Sequence, residues 1–430
     1  MARKMKDSGI EWIGEIPEGW SIARGKHILT LLQRAVFPTD GVITCFRDGE
    51  VTLRSNRRED GFTVSLKEIG YQGIEPGDLV VHGMDGFAGS IGISDSRGKS
   101  SPVLVVLDSS QDKKYLMYYL RSMAYNNVFL ALSTGIRVRS CDLKWNKLAD
   151  LLYLVPPIVE QHKLVSFLDE KCSEIDAILF KTRSSIEEYK KLKQAVITQA
   201  VTKGVRGERE MKDSGVEWIG EIPKYWNIGK LKYYWISVES GVSVNAADRP
   251  IDNPAQYGVL KTSSVSKFIF NPHEHKQVNN DEYSRVTCPV TADCIIVSRM
   301  NTPDLVGACG YVEKTYPNLF LPDRLWQISF RNDISAKFIW YYLNNKMVRS
   351  YISSLSTGTS STMQNISQGQ FGNISVCLPD SNEQKEIIAY LDTKCAEIDG
   401  LIAKKEQLVK ELESYKKSLI YEVVTGKREV

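Results

Sequence analysis

Two stretches of the sequence approach motifs that bind phosphate or cut nucleic acid, and neither completes one. Gly92, Gly98, Lys99 and Ser100 follow the order of a phosphate-binding loop, but five residues separate the glycines where that motif has four. The string PDSNEQK, from Pro379 to Lys385, resembles a compressed nuclease motif. Its counterpart earlier in the chain, PPIVEQH, lacks both the aspartate and the lysine, which favours a helix-capping role over catalysis.

Metal and methyl-transfer motifs are also incomplete. His273-Glu-His275 lies upstream of Cys288 and Cys294, but this spacing fits no common zinc pattern. The tetrapeptide of amino-methyltransferases, Asn or Asp followed by Pro-Pro and an aromatic residue, is absent from the sequence. The nearest string, Val155-Pro-Pro-Ile158, lacks both the polar and the aromatic group. We therefore expect a non-catalytic chain with no metal and no cofactor of its own.

The strongest signal in the sequence is a duplication, which begins with a repeated opening. MKDSGIEWIGEIPEGW spans Met5–Trp20 and MKDSGVEWIGEIPKYW spans Met211–Trp226, so the offset is 206 residues (211 − 5) and only three positions differ. Its tryptophans and isoleucines supply apolar anchors, and its Pro and Gly residues mark turns. Two long halves of this kind indicate an internal duplication rather than a solenoid.

A second repeat predicts two long helices. EQHKLVSFLDEKCSEID spans Glu160–Asp176 and EQKEIIAYLDTKCAEID spans Glu383–Asp399, which is an offset of 223 residues (399 − 176). Each copy continues into a periodic stretch, giving predicted helices over 160–202 and 383–425. The first would extend over roughly 60 Å at about 1.5 Å per residue, which favours antiparallel pairing of the two helices over packing on one globular block. The predicted heptad seam comprises Ile398, Leu401, Lys405, Leu408, Leu412, Tyr415 and Leu419, with a more polar equivalent at Ile175, Ile178, Thr182, Ser185, Tyr189, Leu192 and Val196.

Between the repeats lie two blocks, 21–155 and 227–378, whose sequences diverge. Each carries a formal charge of +3 and the rest of the chain carries −3, within a total of +3. Short apolar runs bounded by turn residues predict strands, including Asp78–Val81, Val103–Leu107, Leu151–Val155 and Ile374–Leu378. The last two end at proline and close each block.

The remaining composition bounds the setting of the chain. Eight cysteines are scattered without a CxxC pair, and Cys172 and Cys395 are repeat equivalents on the predicted helices. This pattern favours a reducing compartment over a disulfide scaffold. No apolar run is long enough to span a membrane and none at the start resembles a secretion signal, so we expect a cytoplasmic protein.

A shared scaffold carrying two different faces is expected when one chain reads two different half-sites at a fixed separation. Half-sites on duplex DNA about one turn apart, roughly 34 Å, suit such a pseudo-symmetric reader. Divergent halves would read an asymmetric bipartite sequence, with the helices as spacer. Two alternatives stay open: a self-contained methyltransferase or nuclease with an unrecognised site, and a protein-assembly scaffold without DNA readout.

The tetrapeptide LSTG also recurs, at Leu132–Gly135 and Leu355–Gly358, with the offset of 223 residues. Together with the repeated opening, the closing strand with its Pro-Pro and the EQ…LDxK helix, it resembles the specificity subunit of Type I restriction-modification systems. The resemblance covers both halves. It implies double-stranded DNA, two modification (methyltransferase) subunits and restriction subunits as partners. It also implies that S-adenosylmethionine, ATP and Mg are bound by those partner subunits rather than by this chain.

The expected fold class is α+β: two pseudo-symmetric target-recognition domains of β-rich mixed structure, joined by two long antiparallel helices that form a coiled coil. The predicted segments are a first target-recognition domain over 1–156, a central helix over 157–204, a second target-recognition domain over 205–379 and a C-terminal helix over 380–430.

Basic and amide side chains in predicted turns are the candidate DNA-reading residues, because Arg pairs with guanine and Asn or Gln with adenine in the major groove. The candidates in the first block are Arg54, Asn56, Arg57, Arg58, Arg97, Lys99, Arg137 and Arg139. Those in the second block are Lys261, Lys267, Arg285, Arg299, Asn301, Arg324 and Gln364.

Overall fold

The computed structural model describes residues 3–57, 68–131, 142–360 and 363–430, with only the backbone for 358–360. The described chain forms two compact units. Unit 1 comprises Met1–Arg183 and Glu406–Val430, and unit 2 comprises Ser184–Lys405. The four segment boundaries drawn from the sequence stay a prediction.

Short strands and helices make up unit 1. Its strands are β1 (Met5–Asp7), β2 (Glu15–Pro17), β3 (Ser21–Arg24), β4 (Leu29–Leu31), β5 (Ile43–Cys45), β6 (Val51–Leu53), β7 (Gln72–Ile74), β8 (Leu79–His82), β9 (Ile91–Ile93), β10 (Gly98–Ser100), β11 (Leu104–Ser109) and β12 (Leu152–Val155). Its helices are α1 (Lys113–Tyr125), α2 (Val128–Ala131), α3 (Trp145–Asp150) and the first part of α4 (Ile158–Lys203).

Unit 2 repeats this order with additional strands. Its strands are β13 (Met211–Asp213), β14 (Glu221–Pro223), β15 (Asn227–Lys230), β16 (Trp235–Ser240), β17 (Ala246–Ala247), β18 (Gly258–Leu260), β19 (His275–Val278), β20 (Pro289–Val290), β21 (Cys294–Ser298), β22 (Met300–Asn301), β23 (Cys309–Val312), β24 (Tyr316–Phe320), β25 (Leu325–Phe330), β26 (Thr357–Ser360), β27 (Met363–Asn365) and β28 (Ser375–Leu378). Its helices are α5 (Ala336–Leu343), α6 (Lys346–Leu355), α7 (Gln368–Gly372) and the first part of α8 (Ser381–Val424).

Each unit is built on an antiparallel four-stranded sheet with the same strand order. The order is β4-β11-β8-β9 in unit 1 and β16-β25-β21-β23 in unit 2. The helix that follows the sheet, α1 or α5, packs its apolar face into the core of its own unit. Asp112 caps α1 and Ser335 caps α5 by accepting backbone N–H groups of the first turn. The predicted strands near 78, 103, 151 and 374 are all present within one or two residues.

The long helices α4 and α8 confirm the predicted pair. In unit 1, Asp176 accepts from Lys416 at 2.6 Å and Arg183 binds Glu413 at 2.5 Å, so the two helical segments run antiparallel. In unit 2, Lys193 binds Asp399 at 2.7 Å and Arg206 binds Glu386 at 2.8 Å, which gives the same orientation. The α+β fold with long antiparallel helices is therefore as expected.

The predicted seam, however, is wrong at alternate positions. Leu401, Leu408 and Tyr415 are 41%, 41% and 49% exposed. The neighbouring residues Ile402 and Val409 are partly buried instead. In the first helix Ile178 and Leu192 are likewise exposed, at 47% and 48%. The seam alternates steps of four and three residues, and Lys193 and Lys416 occupy positions on it through their ion pairs. Because the prediction followed apolar residues alone, it placed alternate seam positions one residue away from the buried ones.

Each repeated opening packs against the C-terminal end of a long helix, which is α8 in unit 1 and α4 in unit 2. In unit 1, Ile13 and Ile16 share a core with Val423 and Val424, and the Tyr421 hydroxyl donates to the Trp12 carbonyl at 3.0 Å. In unit 2 the corresponding isoleucines share a core with Ile197, Ala200 and Val201, on the last turns of α4. The first and last described segments thus meet in one unit.

A glutamate at the start of each long helix ties that helix to a repeated opening, and the contact is more enclosed in unit 2 than in unit 1. In unit 2, Glu383 accepts from Arg209 Nη1 at 2.6 Å and from Trp226 Nε1 at 3.1 Å, and its side chain is only 5% exposed. In unit 1, Arg3 forms an ion pair with Glu160. Arg3 and Arg209 each lie 5.5 Å from the ring centroid of a tryptophan, Trp20 and Trp226 respectively.

We predict that Glu383→Ala lowers the free energy of unfolding by about 3 kcal/mol, because it leaves the Arg209 charge and the Trp226 N–H without their buried acceptor. Urea unfolding of the full chain, followed by tryptophan fluorescence, measures the change. The matched control is Glu386→Ala, which removes an exposed pair with Arg206 and should change stability little. Equal effects of the two variants would contradict the anchoring role of Glu383.

Candidate nucleic-acid interface

In unit 2 the central strand β21 ends beside a set of polar residues. The residue after the strand, Arg299, is fixed through its backbone on both sides: its N–H donates to the Arg324 carbonyl at 3.1 Å, and its carbonyl accepts from Ile366 N–H at 3.0 Å. A side chain placed here projects from backbone bonded to two other segments of the unit. Such support is what a recognition residue requires.

Unit 1 has the same backbone arrangement with different residues. Gly83, the residue after β8, donates to the Val103 carbonyl at 2.8 Å and accepts from Leu143 N–H at 2.9 Å. Leu143 and Ile366 are separated by the repeat offset of 223 residues (366 − 143). The scaffold of the two divergent blocks is therefore conserved within the chain at the level of backbone hydrogen bonds, while the side chains there differ.

Four of the second-block candidates come together at this strand end. Asn301 lies on β22 and faces Gln364 on β27, in a three-stranded sheet with the order β22-β27-β26. Arg299 precedes β22, and Arg324 is its backbone partner. Two guanidinium groups and two amides thus occupy one edge of unit 2, a composition suited to phosphate and base contacts.

The two arginines of this edge differ from most others. The described residues provide no hydrogen-bond or ion-pair partner for the side chain of Arg299, whose Nε is buried. Arg324 is exposed, and no carboxylate of the described chain pairs with it. Nearby Arg349 donates to the carbonyls of Asp304 and Val306 at 3.1 and 2.7 Å, which holds the loop after Asn301. Burial lowers the pKa of Arg349 from its usual value.

The other second-block candidates lie elsewhere. Lys261 binds Asp248 at 3.1 Å and Arg285 binds Glu282 at 2.5 Å, so both charges are used in local ion pairs. Lys267 is exposed in the loop that follows residues 262–265. These three do not join the edge formed by Arg299, Asn301, Arg324 and Gln364.

In unit 1, Arg54 and Arg57 line a cleft of about 660 Å³. Arg47 and His82 line the same cleft and were missed by the sequence analysis. Arg47 could have been found, because it lies in the Arg-Asp-Gly turn between β5 and β6 and meets the criterion used for the other candidates. Three arginines and a histidine therefore converge at this site.

Carboxylates orient most of these arginines. Arg47 binds Asp85 at 3.1 Å, and Arg57 binds Asp48 at 2.5 Å while its Cζ lies 4.3 Å from the Phe46 ring centroid. The hydrogen bond that Arg57 donates to the Asp48 carboxylate raises the pKa of Arg57. Arg54 Nε lies 3.3 Å from Thr44 Oγ1, as a hydrogen-bond donor. The guanidinium groups are therefore held in place. Because nearby carboxylates nearly balance their charge, the cleft suits contacts with bases better than a site dominated by phosphate binding.

His82 adds a neutral donor to the cleft. Its Nδ1 accepts the backbone N–H groups of Met84 and Asp85 at 3.3 and 2.9 Å, so the neutral ring carries its proton on Nε2. Burial lowers the pKa of His82 below its usual value.

The remaining first-block candidates do not line the cleft. Arg97 binds Asp40 at 3.2 Å and also pairs with Glu75, and Lys99 binds Glu68 at 2.7 Å. Two hydrogen bonds lower the pKa of Asp40: the larger effect comes from the backbone N–H of Phe37 and the next from the Arg97 side chain. Asn56 Nδ2 donates to Thr52 Oγ1 at 2.9 Å. Three further candidates, Arg58, Arg137 and Arg139, lie outside the described residues.

The described residues contain neither a metal-binding cluster nor a membrane-spanning helix. In residues 3–57, 68–131, 142–360 and 363–430, no group of three or more His, Cys, Asp or Glu side chains is arranged to hold a metal ion. Within the same ranges, no helix is both long and apolar enough to cross a bilayer.

Comparisons with known proteins agree with this architecture. The family model described as the Type I restriction modification DNA specificity domain matches residues 256–411. The EcoKI specificity subunit of Escherichia coli K12 is 22% identical over 93% of this chain and 88% of its own length. This chain is similar in sequence to type I specificity subunits. The EcoEI specificity subunit of Escherichia coli is 27% identical over 173 residues, which are 40% of this chain and 29% of that relative.

A solved structure extends the likeness to the fold. A chain from a study of complex assembly and conformational transition of the type I R-M system aligns with a TM-score of 0.71 and 13% identity. The alignment covers 96% of this chain and 99% of that chain. The resemblance to type I specificity subunits predicted from the two repeats is confirmed by the sequence comparisons, and this alignment shows a shared fold.

We predict that His82 gains its proton only below its usual pKa of about 6.5, because burial opposes the charged form and Nδ1 already accepts two N–H groups. The depressed pKa means that the neutral ring supports the folded state above about pH 6.5, and that this support is lost as the pH falls. An NMR titration of the imidazole, assigned with His82→Asn, gives the midpoint. A midpoint above 6.5 would contradict this assignment.

Proposed function

We propose that this chain is the DNA sequence-recognition subunit of a type I restriction-modification complex and reads an asymmetric bipartite target. The observation that carries the proposal is the shared strand-end scaffold with different side chains: Gly83 and a cleft containing Arg47, Arg54 and Arg57 in unit 1, and Arg299 with its amide neighbours in unit 2. Each unit would read one half-site, in keeping with the function of the related type I subunits.

The long helices would set the spacer between the half-sites and dock partner subunits. Supporting this role, each helix leaves apolar side chains exposed at seven- or fourteen-residue spacing, namely Ile178 and Leu192 on α4 and Leu401, Leu408 and Tyr415 on α8. Exposed apolar residues in a row are typical of a docking surface. The proposed partners are double-stranded DNA, two modification subunits and restriction subunits.

The chemistry belongs to the partners in this proposal. The modification subunits would bind S-adenosylmethionine and methylate adenine, and the restriction subunits would bind ATP and Mg and cleave DNA. The chain itself would act without catalysis, in the cytoplasm. Purified chain that methylates or cuts DNA alone would contradict this division of labour.

The first prediction is that deleting the gene removes methylated adenine at a single bipartite motif. The physical reason is that sequence choice would lie entirely in the two reading edges of this chain. A modified-base map of the host genome, with and without the gene and with a complemented strain as control, provides the measurement. An unchanged map, in a strain shown to express the modification subunit, would count against DNA recognition.

A second prediction concerns the spacer. Seven helix-forming residues inserted after Arg183 and again after Lys405, where the chain passes between units, should lengthen the preferred spacer by about three base pairs. The estimate follows from about 1.5 Å of rise per helical residue and roughly 3.4 Å per base pair. The half-sites should stay the same.

The control for the spacer experiment is an insertion in one helix alone. That insertion would move the Lys193–Asp399 pair out of register with the Asp176–Lys416 pair, so modification should fall without a new spacer length. A double-insertion protein that keeps the original spacer would show that the helices do not measure the distance.

A further inference from the structure

Arg299 stands out among the arginines of unit 2 because its guanidinium has no partner in the described residues. Its Nε is buried without an acceptor, while neither Nη atom is counted among the buried unpaired atoms or forms a hydrogen bond. The two Nη atoms are therefore not fully buried, whereas Nε is. They leave a pair of N–H donors side by side that the described residues do not use.

Most other arginines of the unit are bonded to neighbouring side chains. Arg331 forms two hydrogen bonds with Asp333, at 3.1 and 2.7 Å. Arg249 Nε donates to Gln277 at 2.7 Å, and Arg285 binds Glu282. Arg324 is different: its carbonyl accepts from the Arg299 backbone, and its side chain forms no ion pair with a carboxylate of the described residues. Two unpaired guanidinium groups at one edge indicate an anionic or acceptor-rich ligand.

The edge is also rigid enough to present these groups reproducibly. Backbone hydrogen bonds fix Arg299 on both sides, and its neighbour Asn301 pairs across β22 and β27 with Gln364. Arg349 holds the following loop through the Asp304 and Val306 carbonyls. A fork held in this way can distinguish bases, because bidentate pairing requires both donors at fixed positions.

We propose that Arg299 is a specificity-determining residue that donates end-on to the O6 and N7 acceptors of a guanine in the half-site read by unit 2, and that Arg324 contacts a phosphate of the same half-site. This inference rests on the proposed function. The half-site read by unit 1 is recognised differently, because the equivalent backbone positions there hold Gly83 and Val103, which offer no polar side chain.

The test uses the full chain assembled with its modification subunits, and compares Arg299→Ala, Arg299→Lys and Arg324→Ala by genomic methylation maps and by binding to duplexes that match or vary the mapped motif. Both Arg299 variants should relax one guanine position of one half-site. The expected loss of discrimination is between about 5-fold and about 150-fold, the range of one bidentate contact. Arg299→Lys should lose the discrimination as well, because an ammonium group keeps the charge but lacks the planar pair of N–H donors.

Arg324→Ala should instead weaken binding to all sequences alike and reduce the slope of affinity against salt by about one charge. Arg331→Ala, which removes an arginine already paired with Asp333, is the matched control and should alter neither property. Continued selection of the other half-site shows that a variant folds and assembles.

The outcomes separate the inference from the proposed function. An unchanged motif in Arg299→Ala overturns the assignment of Arg299, as does uniform weakening with a smaller salt slope, which would make it a phosphate contact. Unchanged binding in Arg324→Ala overturns the phosphate contact. A wild-type complex that methylates no bipartite motif would refute the proposed function itself.

Discussion

The contact on which the architecture depends is the ion pair between a glutamate at the start of each long helix and an arginine just before the repeated opening. Glu383 is almost fully enclosed and is satisfied by Arg209 and Trp226, so the loss of either partner would leave a buried carboxylate with an unmet contact. In unit 1 the contact is less complete, because Glu160 pairs with Arg3 but is 25% exposed, and Trp20 Nε1 has no hydrogen-bond partner among the described residues. This explains why tryptophan, arginine and glutamate recur in both halves while the sequences between them diverge.

The divergence is tolerated because the scaffold of each block is held by main-chain hydrogen bonds. Gly83 has no side chain and Arg299 has a long charged one, yet their backbones are bonded alike. Each backbone N–H donates to the residue that precedes the neighbouring strand of the sheet, and each carbonyl accepts from the segment before a short helix. Backbone bonds of this kind impose no side-chain identity. Recognition residues can therefore change at the strand end without a cost to the sheet, which is the physical basis for two different reading edges on one fold.

The sequence predicted the long helices, the closing strands and the duplication, because periodicity and repeats are local signals. It selected Arg299 together with Arg285, and could not separate them, because their different roles depend on partners brought near by folding. Arg285 is neutralised by Glu282, whereas Arg299 has no such neighbour in the described chain. His82 was missed because only the structure shows its Nδ1 accepting two backbone N–H groups.

The direction of the helix pair follows from the repeat itself. In a parallel pair of in-register copies, each residue would face its equivalent 223 positions away, so Asp176 would meet Asp399 and Lys193 would meet Lys416. Like charges opposed in this way are destabilising. Antiparallel pairing exchanges the partners, and each unit then contains one Asp–Lys pair at 2.6 to 2.7 Å. Such half-exposed pairs add little stability, but they favour the antiparallel over the parallel arrangement, so charges that weaken an apolar seam contribute to its orientation.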